Sequence, residues 1–218
     1  MSKIHVYCMP GLGASPKIFE HIYLPEDQFE IHLLEWKIPI SLEESIQDYA
    51  NRMCLDITHE NPVLVGVSFG GMIVQEMSKK IKVSRVIIIS SVKTHDELPN
   101  RLKLAKVTKA YKLFPTWLVE NFEEYSKYFL GDYLKKRREL YKMYLSVRNR
   151  RYMEWAIYNV LHWKQEEPIP NLTHIHGNED HVFPVKHIEN FVLVEKGTHV
   201  MILMKAKTIS QIICNTLT

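Results

Sequence analysis

Cysteine is scarce in this 218-residue chain, and what there is does not pair. Cys8, Cys54 and Cys214 are odd in number and far apart. That excludes a closed disulfide framework and leaves no two thiols at zinc-ligand or redox spacing. Long apolar runs are missing too. No window approaches the roughly 20 residues that cross a bilayer. The opening MSKIHVYCMPG is too short an apolar stretch for a signal peptide and has no small-residue cleavage site. Phosphate-cradling patterns are absent, since there is neither G-x-G-x-x-G nor a P-loop lysine. Net charge is only +3, and no nucleic-acid motif accompanies it. The expectation is a cytoplasmic protein with no membrane span and no nucleic-acid partner. The sequence carries no signal for oligomeric state.

What is present is core-forming material, with 46% hydrophobic and 24% charged residues. The basic excess is regional: residues 93–168 carry 16 Lys and Arg against 10 Asp and Glu. A solvated helical surface is the ordinary reading of such an excess, and attraction of an anionic acyl carrier is the bolder one.

Short β-branched runs alternate with amphipathic stretches, the pattern of a parallel sheet flanked by helices. The strands are expected at Ile4–Cys8, Glu30–Glu35, Val63–Val67, Arg85–Ser90, Leu172–His176 and Asn190–Val194. VLVGV and VIIIS are almost wholly apolar, as strands covered on both faces should be. Helices are expected from Ser41, with Glu44 at capping-box spacing, to about Thr58; from Phe69 to about Ile81; and from about Lys205 to Leu217. Residues 93–167 interrupt the alternation with helical periodicity and no strand. This divides the chain into a core of 1–92 and 168–218 and an inserted helical segment, 93–167.

The chemistry is concentrated in four loops. Gly66-Val67-Ser68-Phe69-Gly70-Gly71 lies between an expected strand and an expected helix. A turn that sharp strains its central residue and needs small neighbours, and it lifts the Ser68 hydroxyl to the tip of the sheet. A serine nucleophile needs a base. Among 11 histidines, His199 is best placed, after the last strand in Glu195-Lys196-Gly197-Thr198-His199. The base needs an orienting carboxylate, and Asp180 stands in the loop His176-Gly177-Asn178-Glu179-Asp180. Glu179 and Asp96 are rivals for that role. Finally, Met9-Pro10-Gly11-Leu12-Gly13 follows the first strand. Its amides suit an oxyanion hole made from the Leu12 and Phe69 N–H groups.

PGLG at 10–13, GVSFGG at 66–71, HGNED at 176–180 and GTH at 197–199 together resemble the α/β-hydrolase superfamily along the whole chain. The resemblance implies an α/β-hydrolase fold with a compact, six-stranded, mainly parallel sheet. It also implies that the family's first two edge strands are lacking and that 93–167 is its helical cap, inserted before the last two strands. Pro10 stands where members often carry His, and Thr198 where Gly often precedes the histidine. The activity implied is cleavage of a small or medium carboxylic ester or thioester through an acyl-enzyme on Ser68, with no metal or cofactor. Lyase, C–C hydrolase and acyltransferase chemistry use the same triad, and a slow-turnover ligand receptor is a further alternative. The segment 93–167 holds 14 of the 23 aromatic residues. Phe114, Trp117, Tyr125, Tyr128, Trp155 and Tyr158 are expected to line an apolar substrate pocket over the serine.

Overall fold

The computed structural model describes residues 3–109 and 143–218. Six strands form one sheet: β1 (Ile4–Met9), β2 (Phe29–Leu33), β3 (Val63–Val67), β4 (Arg85–Ile89), β5 (Leu172–Gly177) and β6 (Val192–Val194). Their order is β2-β1-β3-β4-β5-β6, and every pairing is parallel. All six expected strands are present, with ends shifted by at most two residues.

Parallel strands cannot be joined by hairpins, so helices cross over both faces. Alternate side chains of the central strands divide between two apolar clusters. Tyr7, Met9, Leu64, Val86 and Ile88 face α1 (Ile46–Cys54), α2 (Phe69–Ser78) and α4 (Arg150–His162). Val6, Cys8, Val65, Ile87, Ile89 and Ile175 face α5 (Met201–Met204), α6 (Ala206–Leu217) and the 3-10 turn Pro16–Phe19. β3 is buried at every position. That is why its sequence shows no polar alternation.

Three helix boundaries differ from expectation. α1 starts later than Ser41 because Ser45 is the cap, its hydroxyl accepting from Asp48 N at 3.0 Å. Glu44 instead accepts from Ile40 N at 2.8 Å and binds the Arg52 guanidinium at 2.7 Å. Both are S-x-x-acid patterns, and the one nearer the apolar stripe of Ile46, Tyr49, Ala50 and Met53 wins. α1 and α2 also end three or four residues early, each where backbone N–H groups turn back onto the last helical carbonyls.

The ends of the 93–167 segment are clasped onto α2. Gln75 Nε2 donates to Val92 O, and Trp163 Nε1 donates to Glu76 Oε1 at 2.7 Å. Gln165 Nε2 donates to Gln75 Oε1 at 2.8 Å. These bonds tie buried polar groups together where the chain leaves and re-enters the sheet layer, with Glu76 Oε2 and Gln165 Oε1 left unpartnered among the described residues. Between them, α3 (Asn100–Thr108) and α4 pass over the carboxyl ends of the strands.

Candidate active site

Ser68 sits at the junction of β3 and α2 with φ +53° and ψ −121°. A non-glycine residue there carries roughly 1–3 kcal/mol of strain. Three hydrogen bonds hold it. Ser68 N donates to Ile89 O at 2.9 Å, Gly71 N donates to Ser68 O at 2.9 Å, and Ser91 Oγ donates to Ser68 O at 2.7 Å. At about 1 kcal/mol each, they are comparable with the strain. The flanking glycines are required by space: a Cβ on Gly66 would strike the Gly70 carbonyl, and one on Gly70 would strike the carbonyls of Pro10 and Met9.

Ser68, His199 and Asp180 are brought into line. His199 Nε2 lies 3.0 Å from Ser68 Oγ, and His199 Nδ1 lies 2.9 Å from Asp180 Oδ2. The Asp180 side chain is wholly buried. Its Oδ1 accepts from Val182 N at 2.8 Å and Phe183 N at 2.9 Å. Burial pushes its pKa up, but the hydrogen bond and charge of His199 and the Phe183 amide outweigh that and hold it below the ordinary carboxylate value. The strand ends that deliver acid and base touch directly, since a Cβ on Gly177 would strike the Gly197 backbone. The rivals are elsewhere: Asp96 is solvent-exposed beside His95 and Lys103, and among the described residues the exposed Glu179 has only its amide engaged, on Gly197 O.

Two residues that sequence reasoning did not single out support this arrangement. His176 Nε2 donates to Phe183 O at 2.8 Å and lies 3.7 Å from Asp180 Oδ2. Its Nδ1 must then accept, and His174 Nε2 is 3.1 Å away to donate. Burial holds both imidazoles below the usual histidine pKa, His174 well below. The period-two HIH at the end of β5 is the signal that was available.

The PGLG loop lies against the serine, with the position of a Gly11 Cβ 3.5 Å from Ser68 Cβ. Trp36 Nε1 donates to Gly11 O at 3.0 Å, and the Trp36 ring stacks on Phe69 at 5.3 Å. Gly13 N donates to Tyr152 OH at 3.2 Å. Among the described residues, the Leu12 and Phe69 amides have no acceptor, so both can donate to a ligand.

Residues 3–209 match the Alpha/beta hydrolase family. The chain belongs to that family. No curated protein matches it. Solved α/β-hydrolase structures are similar in fold at low identity. The esterase of Thermogutta terrifontis is 13% identical, with TM-score 0.66 over 99% of this chain and 90% of that one. A bromoperoxidase from Bacillus anthracis is 15% identical, with TM-score 0.70 over 99% and 92%. The epoxide hydrolase of Bacillus megaterium is 14% identical, with TM-score 0.67 over 100% and 94%.

As an α/β-hydrolase family member the chain has a large cavity above the serine, about 960 Å³. Ser68 and His199 are on its floor, with Leu12 and Phe69 beside them. Leu102 and Ala105 of α3, Ile157 and Val160 of α4, and Ile202 and Leu203 of α5 contribute apolar walls. Of the expected pocket aromatics, Phe114, Trp117, Tyr125 and Tyr128 lie outside the described residues. Trp155 and Tyr158 do not line the cavity. Trp155 is fully buried against Tyr49, with its Nε1 donating to Glu44 O at 2.7 Å. Tyr158 is 45% exposed and stacks on His162. The helical period explains both: Met153, Ile157, Val160 and Leu161 take the cavity side of α4, Tyr152, Trp155, Ala156 and Asn159 turn inward, and Tyr158 is left on the exposed side. Tyr144 and Phe183 are aromatic lining residues that were not among those expected to line the pocket. No helix among the described residues is long and apolar enough to cross a membrane.

Proposed function

We propose that this α/β-hydrolase family member is a serine hydrolase that cleaves carboxylic esters or thioesters with apolar acyl groups, through an acyl-enzyme on Ser68. The observation that carries the proposal is the continuous hydrogen-bonded line from Ser68 Oγ through His199 to the buried Asp180, opening into an apolar cavity. His199 Nδ1–H donates to the carboxylate, which leaves Nε2 as an acceptor for the Ser68 proton. As Ser68 Oγ bonds to the substrate carbonyl carbon, His199 takes that proton and Asp180 stabilises the imidazolium. The carbonyl oxygen gains negative charge facing the Leu12 and Phe69 N–H groups, which donate to it. His199 then protonates the departing alcohol or thiol. Water repeats the sequence and releases the acid.

Acyl transfer suits a serine at this position better than epoxide opening. Attack of Ser68 on an epoxide carbon would leave an alkyl ether, with no carbonyl for water to attack. In this reading the segment 93–167 serves as a cap. Its helices α3 and α4 supply one side of the cavity and shield the reaction from bulk water.

A fluorophosphonate probe tests the nucleophile. The native chain should be labelled once and lose its activity on aryl esters. Ser68→Ala should fold normally, remain unlabelled and be inactive. Labelling of that variant at its native rate would overturn the assignment.

A further inference from the structure

We propose that His5, His32 and His59 form a binding site for a divalent transition-metal ion, zinc by preference, on the β2–β1 side of the sheet, apart from Ser68.

The three residues come from β1, β2 and the connection between α1 and β3. One ring nitrogen from each lies within 4.8 Å of the other two. His5 Nδ1 and His32 Nε2 are 3.0 Å apart. Two imidazole nitrogens on one tetrahedral zinc, with bonds of about 2.0–2.1 Å, would be about 3.3 Å apart. This pair therefore already has nearly the spacing of a coordination edge. His59 stacks on His5, with ring centroids 3.5 Å apart and planes 9° apart, so its ring must turn to aim a nitrogen at the shared ion.

The surroundings match the chemistry of a metal-bound imidazole cluster. Tyr7 OH lies 2.7 Å from His59 Nδ1 and accepts from Thr58 N at 3.1 Å. The ring is thereby oriented by a second partner, as metal-ligating imidazoles generally are. The two carboxylate oxygens of Glu30 face the closest pair, Oε2 at 3.7 Å from His5 Nδ1 and Oε1 at 3.8 Å from His32 Nε2. Glu30 is half-exposed and is free to move inward as a fourth, anionic ligand. Three imidazoles and a carboxylate favour zinc or its neighbours over magnesium or calcium, which prefer oxygen.

The placement says what the ion would do. His59 precedes β3 and Ser68 follows it, so the length of β3, roughly 16 Å, separates these two. His5 lies on β1 itself and His32 on β2, on the far side of β1 from β3. The ion would tie the edge strand β2 to β1 and to the connection returning from α1. Its role is structural, independent of the hydrolytic reading.

The test uses the tag-free chain, stripped with EDTA and titrated calorimetrically with zinc chloride, then with cobalt(II) chloride followed by visible absorption. One equivalent of zinc should bind, and cobalt should give the intense visible bands of a four-coordinate site. At a zinc concentration one hundred times Kd, Tm should rise by about 5–10 °C. His32→Gln and His59→Gln should each weaken binding by at least about 100-fold, and Glu30→Gln by about tenfold. His199→Gln should leave the stoichiometry at one. A crystal grown with zinc should show one anomalous peak between the three imidazoles, which needs no variant to fold. No zinc uptake, unchanged affinity in the His32 and His59 variants, or an anomalous peak elsewhere would each overturn the proposal.

Discussion

Asp180→Asn is the substitution that probes the proposed site most sharply, because it changes one atom of a buried group and very little else. The asparagine carbonyl can still accept from Val182 N and Phe183 N, now at 2.8 and 2.9 Å from Oδ1. The amide nitrogen then occupies the place of Oδ2, 2.9 Å from His199 Nδ1. It can only donate, so Nδ1 must accept and the ring proton moves to Nε2. The histidine now points a donor at Ser68 Oγ and cannot take its proton. The penalty for that tautomer in a Ser-His-Asp arrangement is roughly 10⁴ in kcat, about 5.4 kcal/mol of barrier. Folding should be affected far less, by about 1–3 kcal/mol, the cost of leaving the second amide N–H without an acceptor beside His176 Nε2, itself a donor 3.7 Å away. The assay is kcat on a short-chain p-nitrophenyl ester beside a urea melt of the same preparation. Glu179→Gln is the control and should stay within a factor of about three, since among the described residues only the Glu179 amide is engaged. Activity of Asp180→Asn within tenfold of native, with the fold intact, would refute the role given to this carboxylate.

Ile157→Trp should fill part of the cavity wall on α4. An indole that displaces three methylenes of a bound acyl chain removes about 2.4 kcal/mol of apolar burial, so kcat/KM for a decanoyl ester should fall roughly 50-fold while the acetyl ester is spared; equal losses on both esters would count against an acyl pocket. Stability should fall as the solution is acidified. His174 and His176 have depressed pKa values in the fold, so below about pH 6.5 the unfolded chain binds more protons than the folded one, at up to ~1.4 kcal/mol per pH unit for each histidine. The Asp180 contribution is present above about pH 4 and is lost as the pH drops through its lower folded value. Urea midpoints measured in EDTA that stayed constant between pH 7 and pH 5 would contradict the burial of the histidine pair.

The sheet could be read from the chain because its strands leave one-dimensional signatures. A strand covered on both faces has no choice but to be apolar throughout, and β3 and β4 are the two most unbroken runs. The residues of the proposed triad were legible for a related reason. Each sits one loop beyond the carboxyl end of a strand, and each loop carries glycine where the backbone is crowded. Finding the strands therefore located the loops. Helix ends were less legible, since Ser41 and Ser45 offer the same cap chemistry four residues apart. Only tertiary packing of Tyr49 and Met53 decides between them.

The interior of the cavity and the histidine trio were not legible, and the reason is the same for both. Aromatic content said that α4 had something large to bury, but not which side of the helix would bury it. Trp155 and Ile157 are two residues apart and end on different sides. A periodic pattern gives an apolar stripe, and a helix wedged between a sheet and a cavity has two. The histidines at 5, 32 and 59 follow no ligand spacing that a motif could capture. They meet because β1 and β2 pair with Tyr7 opposite His32, and because the chain returning from α1 passes over the same face. Motif reading works where one loop carries the whole function. Where strand register and chain return assemble the cluster, the sequence holds the parts and only the sheet order brings them together. Three histidines on three elements acquire a common purpose only once β2-β1-β3 is known.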